Sequence, residues 1–226
     1  DDLMDKADLR RGNLTVHKKW DENTAILSGD TMLVLAYKLM VQCDGSYLKK
    51  VMDIFTDTAL EIGEGQQFDM EFETRMDVTE EEYLEMIRLK TAVLLATSLE
   101  IGAIIGGAPV EDADLLYNYG INLGLAFQLR DDYLDAFGDP KEFGKQIGGD
   151  IKCNKKTFLL LNALKSAEGA TAENLRNWIS SSEVADEQAK IQAVLNIYRE
   201  TGSDKRCEET IQDFFEKSVV CVKKLQ

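Results

Sequence analysis

At 226 residues and 44% apolar content the chain is long enough to bury a substantial core, and its formal charge of -15 would repel a nucleic-acid backbone. It carries no long basic run and no nucleic-acid motif, which excludes nucleic-acid binding from the leading readings. An acidic chain can still hold a small diphosphate where divalent cations bridge carboxylate to phosphate and a few Lys and Arg complete the contact.

Only two prolines occur, glycines are scattered, and no stretch is dominated by Ser, Gly or Pro, so residues 1–226 are expected to form a single domain. Residue 1 already lies inside an acidic motif, from which the domain is expected to lack N-terminal helices. Cys43, Cys153, Cys207 and Cys221 show no Cys-x-x-Cys spacing, which suits a reduced, cytoplasmic setting and assigns them no chemistry. The most apolar stretch, Ala92 to Val110, is broken by Glu100 and Pro109 and falls short of a transmembrane span. No signal peptide is recognised.

In chain order, apolar residues recur at helical spacing and strand-like alternation is scarce, which predicts an all-α fold of about eight helices. Trp20 to Met40 reads as one or two buried helices, and Ser46 to Glu64 as another that stops near Gly63 and Gly65. Thr79 followed by Glu82 forms a capping-box pattern ahead of Tyr83, Met86 and Ile87, so a helix starts there, runs past Lys90 and ends near Gly106 and Gly107. The helix after Pro109 carries Ile121, Leu125, Gln128, Asp132 and Asp135 on one face, apolar at first and acidic later. A loop from Gly138 to Gly149 follows, then helices over Thr157–Leu164, Glu173–Ile179, Asp186–Tyr198 and Arg206–Val222.

Asp131, Asp132 and Asp135 stand at i, i+1 and i+4, so Asp131 and Asp135 stack one helical turn apart with Asp132 beside them. Three carboxylates that close repel one another, and hard oxygen ligands suit Mg²⁺. One such group is equally readable as a solvated helix face. The same spacing recurs at Asp1, Asp2 and Asp5, and two copies on antiparallel helices can bracket one cavity with metal sites on both walls.

Asp1-Asp2-Leu3-Met4-Asp5 followed by Arg10-Arg11-Gly12, and Phe127-Gln128-Leu129-Arg130-Asp131-Asp132-Tyr133-Leu134-Asp135, resemble the two aspartate-rich motifs of the trans-isoprenyl (polyprenyl) diphosphate synthases, of short to medium chain length. The likeness extends through Gly144-Lys145 and Gly149-Asp150-Ile151 to Lys155 and Thr157. The resemblance implies an isoprenoid synthase-type helical bundle around a central cavity, forming a homodimer. It implies a prenyltransferase that condenses an allylic diphosphate with isopentenyl diphosphate, using several Mg²⁺ ions. Asp1, Asp2, Asp5, Asp131 and Asp132 would hold the metal, with Asp135 acting directly or through water. Arg10 matches the ligand for the allylic diphosphate and Arg11 the one for isopentenyl diphosphate. Lys90, Lys145 and Lys155 match the lysines that grip the leaving diphosphate, and Thr91 and Gln128 match groups that stabilise cationic character near the reacting carbons.

Gln66 resembles a cavity-facing position and is equally readable as a loop amide. Phe127 reads as core, and His17 as a support for its loop. Leu14 stands where many relatives have proline, which predicts a looser loop after Arg11. Ala92, Ala96 and Gly102 are small enough to leave room for a growing chain, and Ile26 to Leu39 is the expected dimer surface. Two alternatives stay open on the residues alone: a class I terpene cyclase, disfavoured by Arg11 and by Asp131-Asp132-x-x-Asp135, and a non-catalytic helical subunit of a prenyltransferase complex.

Overall fold

The computed structural model describes residues 2–139, 147–180 and 186–225. The chain divides into two compact units, Asp1–Asp53 and Ile54–Gln226. Among the described residues the fold is all-α apart from one small hairpin, and no helix is long and apolar enough to cross a membrane.

In the first unit, β1 (Leu9–Arg10) and β2 (Asn13–Leu14) pair antiparallel, Leu9 opposite Leu14 and Arg10 opposite Asn13. Arg11 (φ 53°) and Gly12 (φ 77°) form the turn, both in the left-handed region that a tight primed hairpin demands. Arg11 is a side-chain-bearing residue in that region, a strain that the flanking pairing must offset. Leu14 is paired in β2, opposite Leu9. Thr15 ties off the hairpin, its hydroxyl donating to the Ala7 carbonyl at 2.7 Å and its N–H to that of Asp8 at 3.1 Å. After the short α1 (Val16–Lys19), Asp21 caps α2 (Glu22–Met40) by accepting the Thr24 N–H at 2.8 Å.

Burial of Trp20 to Met40 is not observed. No residue of α2 is buried, and Ile26, Met32, Val34 and Leu39 are 53–69% exposed. Its apolar side chains point to several sides, so their number marked a helix while this unit supplies no layer that covers it. His17 keeps both ring nitrogens buried without a hydrogen-bond partner among the described residues, so any support it lends its surroundings comes from packing.

The helix expected to stop near Gly63 continues: α3 spans Gly45–Thr74. In the second unit, α4 (Glu80–Ile87) starts with the expected capping box, Glu82 N–H to Thr79 Oγ1 at 3.1 Å and Thr79 N–H to Glu82 Oε2 at 2.9 Å. Arg75 grips the same glutamate at 2.8 Å. A single π-helical turn, Arg88–Ala92, joins α4 to α5 (Val93–Ile105), and α6 (Val110–Phe137) follows Pro109. Then come α7 (Gly149–Lys152), α8 (Phe158–Ser166), α9 (Gly169–Ser180), α10 (Glu187–Glu200) and α11 (Ser203–Val222).

Helix α6 packs along α5 and along α11. The core gathers Phe72, Tyr83, Leu129, Phe158, Leu175, Val194 and Cys207. Every residue of α8 from Phe158 to Ala163 is buried, including Asn162, whose amide donates to the Phe158 carbonyl. Each large apolar side chain fully enclosed here contributes about 1.5–3 kcal/mol relative to exposure.

Candidate active site

Asp132 is the centre of the site. It sits near the end of α6, 4% exposed, and both of its oxygens are engaged. Oδ2 accepts the phenolic hydrogen of Tyr83 from α4, and Oδ1 accepts an amide hydrogen of Gln128, one turn back on α6, at 3.2 Å. The Gln128 carbonyl accepts the Thr91 hydroxyl at 3.0 Å. The ionised Asp132 carboxylate can only accept, so the amide nitrogen of Gln128 faces it and the amide oxygen turns to the Thr91 hydroxyl, which donates.

Burial pushes Asp132 up to about 6; the bonds from Tyr83 and Gln128 and the charge of Lys155 oppose the rise, and the charge of Asp131 adds to it. Asp150, on α7, is pushed up to about 7 by burial and by the negative charges of Asp132, Asp135 and Asp131, against Lys155. Asp135 Oδ2 accepts the Asp150 N–H at 3.0 Å, and the Asp135 carbonyl accepts the Gly148 N–H at 2.7 Å, so α7 hangs from the end of α6. The carboxylates also gather where the α6 dipole is negative and no basic residue occupies the last turn.

Such a donor set fits a hard divalent cation: oxygens only, negative charge in excess, and two members that resist ionisation until it is neutralised. Among the described residues no group of three or more acidic, histidine or cysteine side chains is placed to hold a metal ion by itself. An ion held here would therefore draw further oxygens from water or from a ligand.

Lys90 and Thr91 lie in the π-helical turn, a local widening common at functional sites. The Lys90 ammonium meets Asp69 Oδ2 of α3 at 2.7 Å, with side chains only 21% and 13% exposed. The turn is held by close backbone approach: a Cβ on Gly65 would stand 2.4 Å from the Lys90 backbone nitrogen, and one on Gly124 would stand 2.5 Å from the Ala92 Cα. Gly65 is thus a contact surface for Lys90 in place of a helix stop. Ala92 and Ala96 are both 0% exposed against α6, so they serve helix packing and leave no room for a chain, while Gly102 is exposed.

The second motif, Asp131, Asp132 and Asp135, is thus brought together with Gln128, Thr91 and Lys155, joined by hydrogen bonds or by charge. Lys90 stands beside Thr91, paired with Asp69. In the first unit, Asp2 accepts from Arg10 at 2.7 and 2.8 Å, and Asp5 and Arg11 are exposed. Asp1 and Lys145 lie outside the described residues. Gln66 is half-buried on α3, not in a loop. Phe127 is not core: it is 61% exposed and lines a groove of about 440 Å³ with Leu123, Arg130, Ile211 and Phe215, to which Lys90, Gln128 and Asp132 do not contribute. Tyr83, Asp69 and Asp150 were missed as site residues. Only Asp150 had a local signal, its place in the Gly149-Asp150-Ile151 stretch.

The sequence model of the family described as polyprenyl synthetase matches residues 1–198. The geranylgeranyl diphosphate synthase of Saccharolobus solfataricus is 46% identical over 171 residues, 74% of this chain and 52% of that protein. The short chain isoprenyl diphosphate synthase of Methanothermobacter thermautotrophicus is 41% identical over 184 residues, 81% of this chain and 57% of that one. The chain spans about half the length of the curated relatives it matches. A solved geranylgeranyl pyrophosphate synthase superposes with TM-score 0.94 at 47% identity, over 100% of this chain and 70% of its own. The synthase from Corynebacterium glutamicum, complexed with isoprenyl diphosphate and magnesium, superposes with TM-score 0.89 at 29% identity, over 100% and 69%.

Proposed function

The chain belongs to the polyprenyl synthetase family, and on that premise we propose that it acts as a Mg²⁺-dependent trans-prenyltransferase, condensing an allylic diphosphate with isopentenyl diphosphate. The products are a longer all-trans isoprenyl diphosphate and pyrophosphate. The observation that carries the proposal is the buried Asp132 carboxylate, tied to Tyr83 and Gln128 and joined by charge to Asp131, Asp150 and Lys155. A charge in that position is costly unless a ligand neutralises it.

Asp131 and Asp132 would hold Mg²⁺, with Asp135 acting directly or through water and Asp1, Asp2 and Asp5 serving as the first motif. When bound, the metal supplies positive charge that makes diphosphate a good leaving group. Lys90, Lys145 and Lys155 take up the negative charge that builds on the diphosphate as its bond to the allylic carbon breaks, and both bonding electrons leave with it. Arg10 and Arg11 bind the allylic and isopentenyl diphosphates. Thr91 and Gln128 present oxygen dipoles to the allylic cation. The isopentenyl double bond forms the new carbon–carbon bond, and a proton leaves to the released diphosphate, so no protein base is required. Water must be kept from the cation, which it would otherwise trap as an alcohol.

The enzyme works as a cytoplasmic homodimer, with the exposed apolar side chains of α2 contributing to the contact. Analytical ultracentrifugation that finds only monomers removes the dimer. For the reaction, the protein is incubated with Mg²⁺, isopentenyl diphosphate and allylic diphosphates of five to twenty carbons, and pyrophosphate and products are separated by chromatography. Release of pyrophosphate with chain growth is expected; no release from any pair would overturn the assignment.

A further inference from the structure

Lys190 is a lysine in the wrong place for a lysine. It lies in the N-terminal part of α10, 3% exposed, where burial disfavours its charge and the positive end of the helix dipole adds to the cost. Its ammonium donates to the Lys152 carbonyl at 3.1 Å and to Asn154 Oδ1 at 2.6 Å. Both acceptors are neutral oxygens, and both belong to the segment that links Asp150 to Lys155. The Lys152 carbonyl ends α7, one of the carbonyls that no turn of that short helix can satisfy. Asn154 is held at φ 54°, and the Lys155 N–H closes on the Asp150 carbonyl at 2.9 Å.

Two neighbours of Lys190 on α10 grip the same segment. Ile191 packs on Gly148, where a Cβ would stand 2.8 Å from its Cδ1, and Glu187 pairs with Lys152 at 2.9 Å. On the other side α7 is bound to Asp135 of α6 through Asp150 N–H at 3.0 Å. The turn is therefore clamped between the acidic end of α6 and the start of α10, and Lys190 is the buried polar half of that clamp.

We propose that Lys190 is a positioning residue: its ammonium locks the turn between Asp150 and Lys155 and so decides where these two charges stand toward a Mg²⁺-bound diphosphate. The inference rests on the diphosphate chemistry proposed above. Lys190 touches none of the reacting atoms; it acts through the backbone of residues 150–155.

Lys190→Met keeps an unbranched side chain of nearly the same length and removes its donors. Three measurements are made on wild type and variant: thermal melting, amide hydrogen exchange by mass spectrometry, and calorimetric titration of Mg²⁺-saturated protein with inorganic pyrophosphate. The variant is expected to melt cooperatively, to exchange amides of residues 149–155 at least about tenfold faster with α4 and α6 unchanged, and to bind pyrophosphate about tenfold more weakly. In turnover, KM for the allylic diphosphate should rise by a larger factor than kcat falls. If Lys190→Met does not fold, Asn154→Gly carries the same test, because glycine accepts the left-handed backbone while the side-chain acceptor of Lys190 is removed and the Lys152 carbonyl stays. Unchanged exchange over 149–155 overturns the proposal, as does faster exchange with unaltered pyrophosphate affinity. A wild type that binds no pyrophosphate in Mg²⁺ overturns the diphosphate chemistry itself, and the positioning role with it.

Discussion

Tyr83 donates its phenolic hydrogen to Oδ2 of Asp132 from 49 residues away, and neither side chain meets solvent, at 2% and 4% exposed. Burial and the negative charge of Asp132 drive the Tyr83 phenol well above its ordinary range, so it stays a donor at any working pH. The helix that begins at the Thr79–Glu82 capping box thereby sets the rotamer of a carboxylate at the far end of α6. Tyr83→Phe preserves the ring contact with Phe158 and deletes only the hydroxyl. It is expected to cost about 1–3 kcal/mol in urea denaturation and to weaken Mg²⁺ half-saturation of turnover. Wild-type values for both would mean that the bond is idle.

Asp132 at about 6 and Asp150 at about 7 lie above the ordinary value of 3.8, so the folded chain keeps protons that the unfolded chain has released. Their contribution to stability is complete below about pH 4 and is lost as pH rises through about 6 to 7. Asp132→Asn removes one of the two groups. Urea titrations in EDTA should show wild type losing stability relative to this variant between about pH 4 and 7, by at most about 1.4 kcal/mol per pH unit. Millimolar Mg²⁺ should restore wild type and not the variant at the upper pH. A constant difference across the range, with or without the ion, would disprove the link.

Gly65→Ala places a methyl group 2.4 Å from the Lys90 backbone nitrogen and 2.8 Å from the Leu89 Cβ, where backbone has to move. Overpacking of this kind costs about 1–3 kcal/mol. Because the atoms displaced carry Lys90 and Thr91, turnover should fall by about tenfold or more even at temperatures where the variant is fully folded, as circular dichroism would verify. A variant that is destabilised and yet turns over normally would detach the π-helical turn from catalysis.

The Lys90–Asp69 pair at 2.7 Å is enclosed enough for its geometry to matter. Lys90→Ala should reduce kcat by about 10²-fold or more through lost stabilisation of the leaving group. Asp69→Asn keeps a hydrogen-bond acceptor while removing the charge, and should lower kcat/KM by about tenfold, since the charge-assisted bond that orients the Lys90 ammonium is weakened. Steady-state kinetics of both variants and of the double variant measure the coupling; strictly additive effects would show that Asp69 does not act through Lys90.

Much of the fold is legible along the chain because its signals are local. The Thr79–Glu82 box, the break at Pro109 and the spacing of Asp131, Asp132 and Asp135 need only a few neighbouring residues to be read, and each element stands where its pattern puts it. The misreadings share a cause. Gly65 looks like a helix stop until Leu89 and Lys90 are seen against it, and Ala92 and Ala96 look like vacant space until Gly124 and Gly120 fill it. The apolar residues of α2 look buried because composition records hydrophobicity and not the presence of a covering layer.

The chain's sequence by itself determined an all-helical fold, the acidic end of α6 and the residue types suited to a divalent cation and a diphosphate. Only the tertiary structure decided that Tyr83 and Gln128 hold Asp132, that Asp69 anchors Lys90, and that Lys190 clamps the turn between Asp150 and Lys155. These contacts join residues from 4 to 49 positions apart. All but the bond within α6 depend on how separate helices pack, which helical periodicity, blind beyond a turn or two, cannot encode.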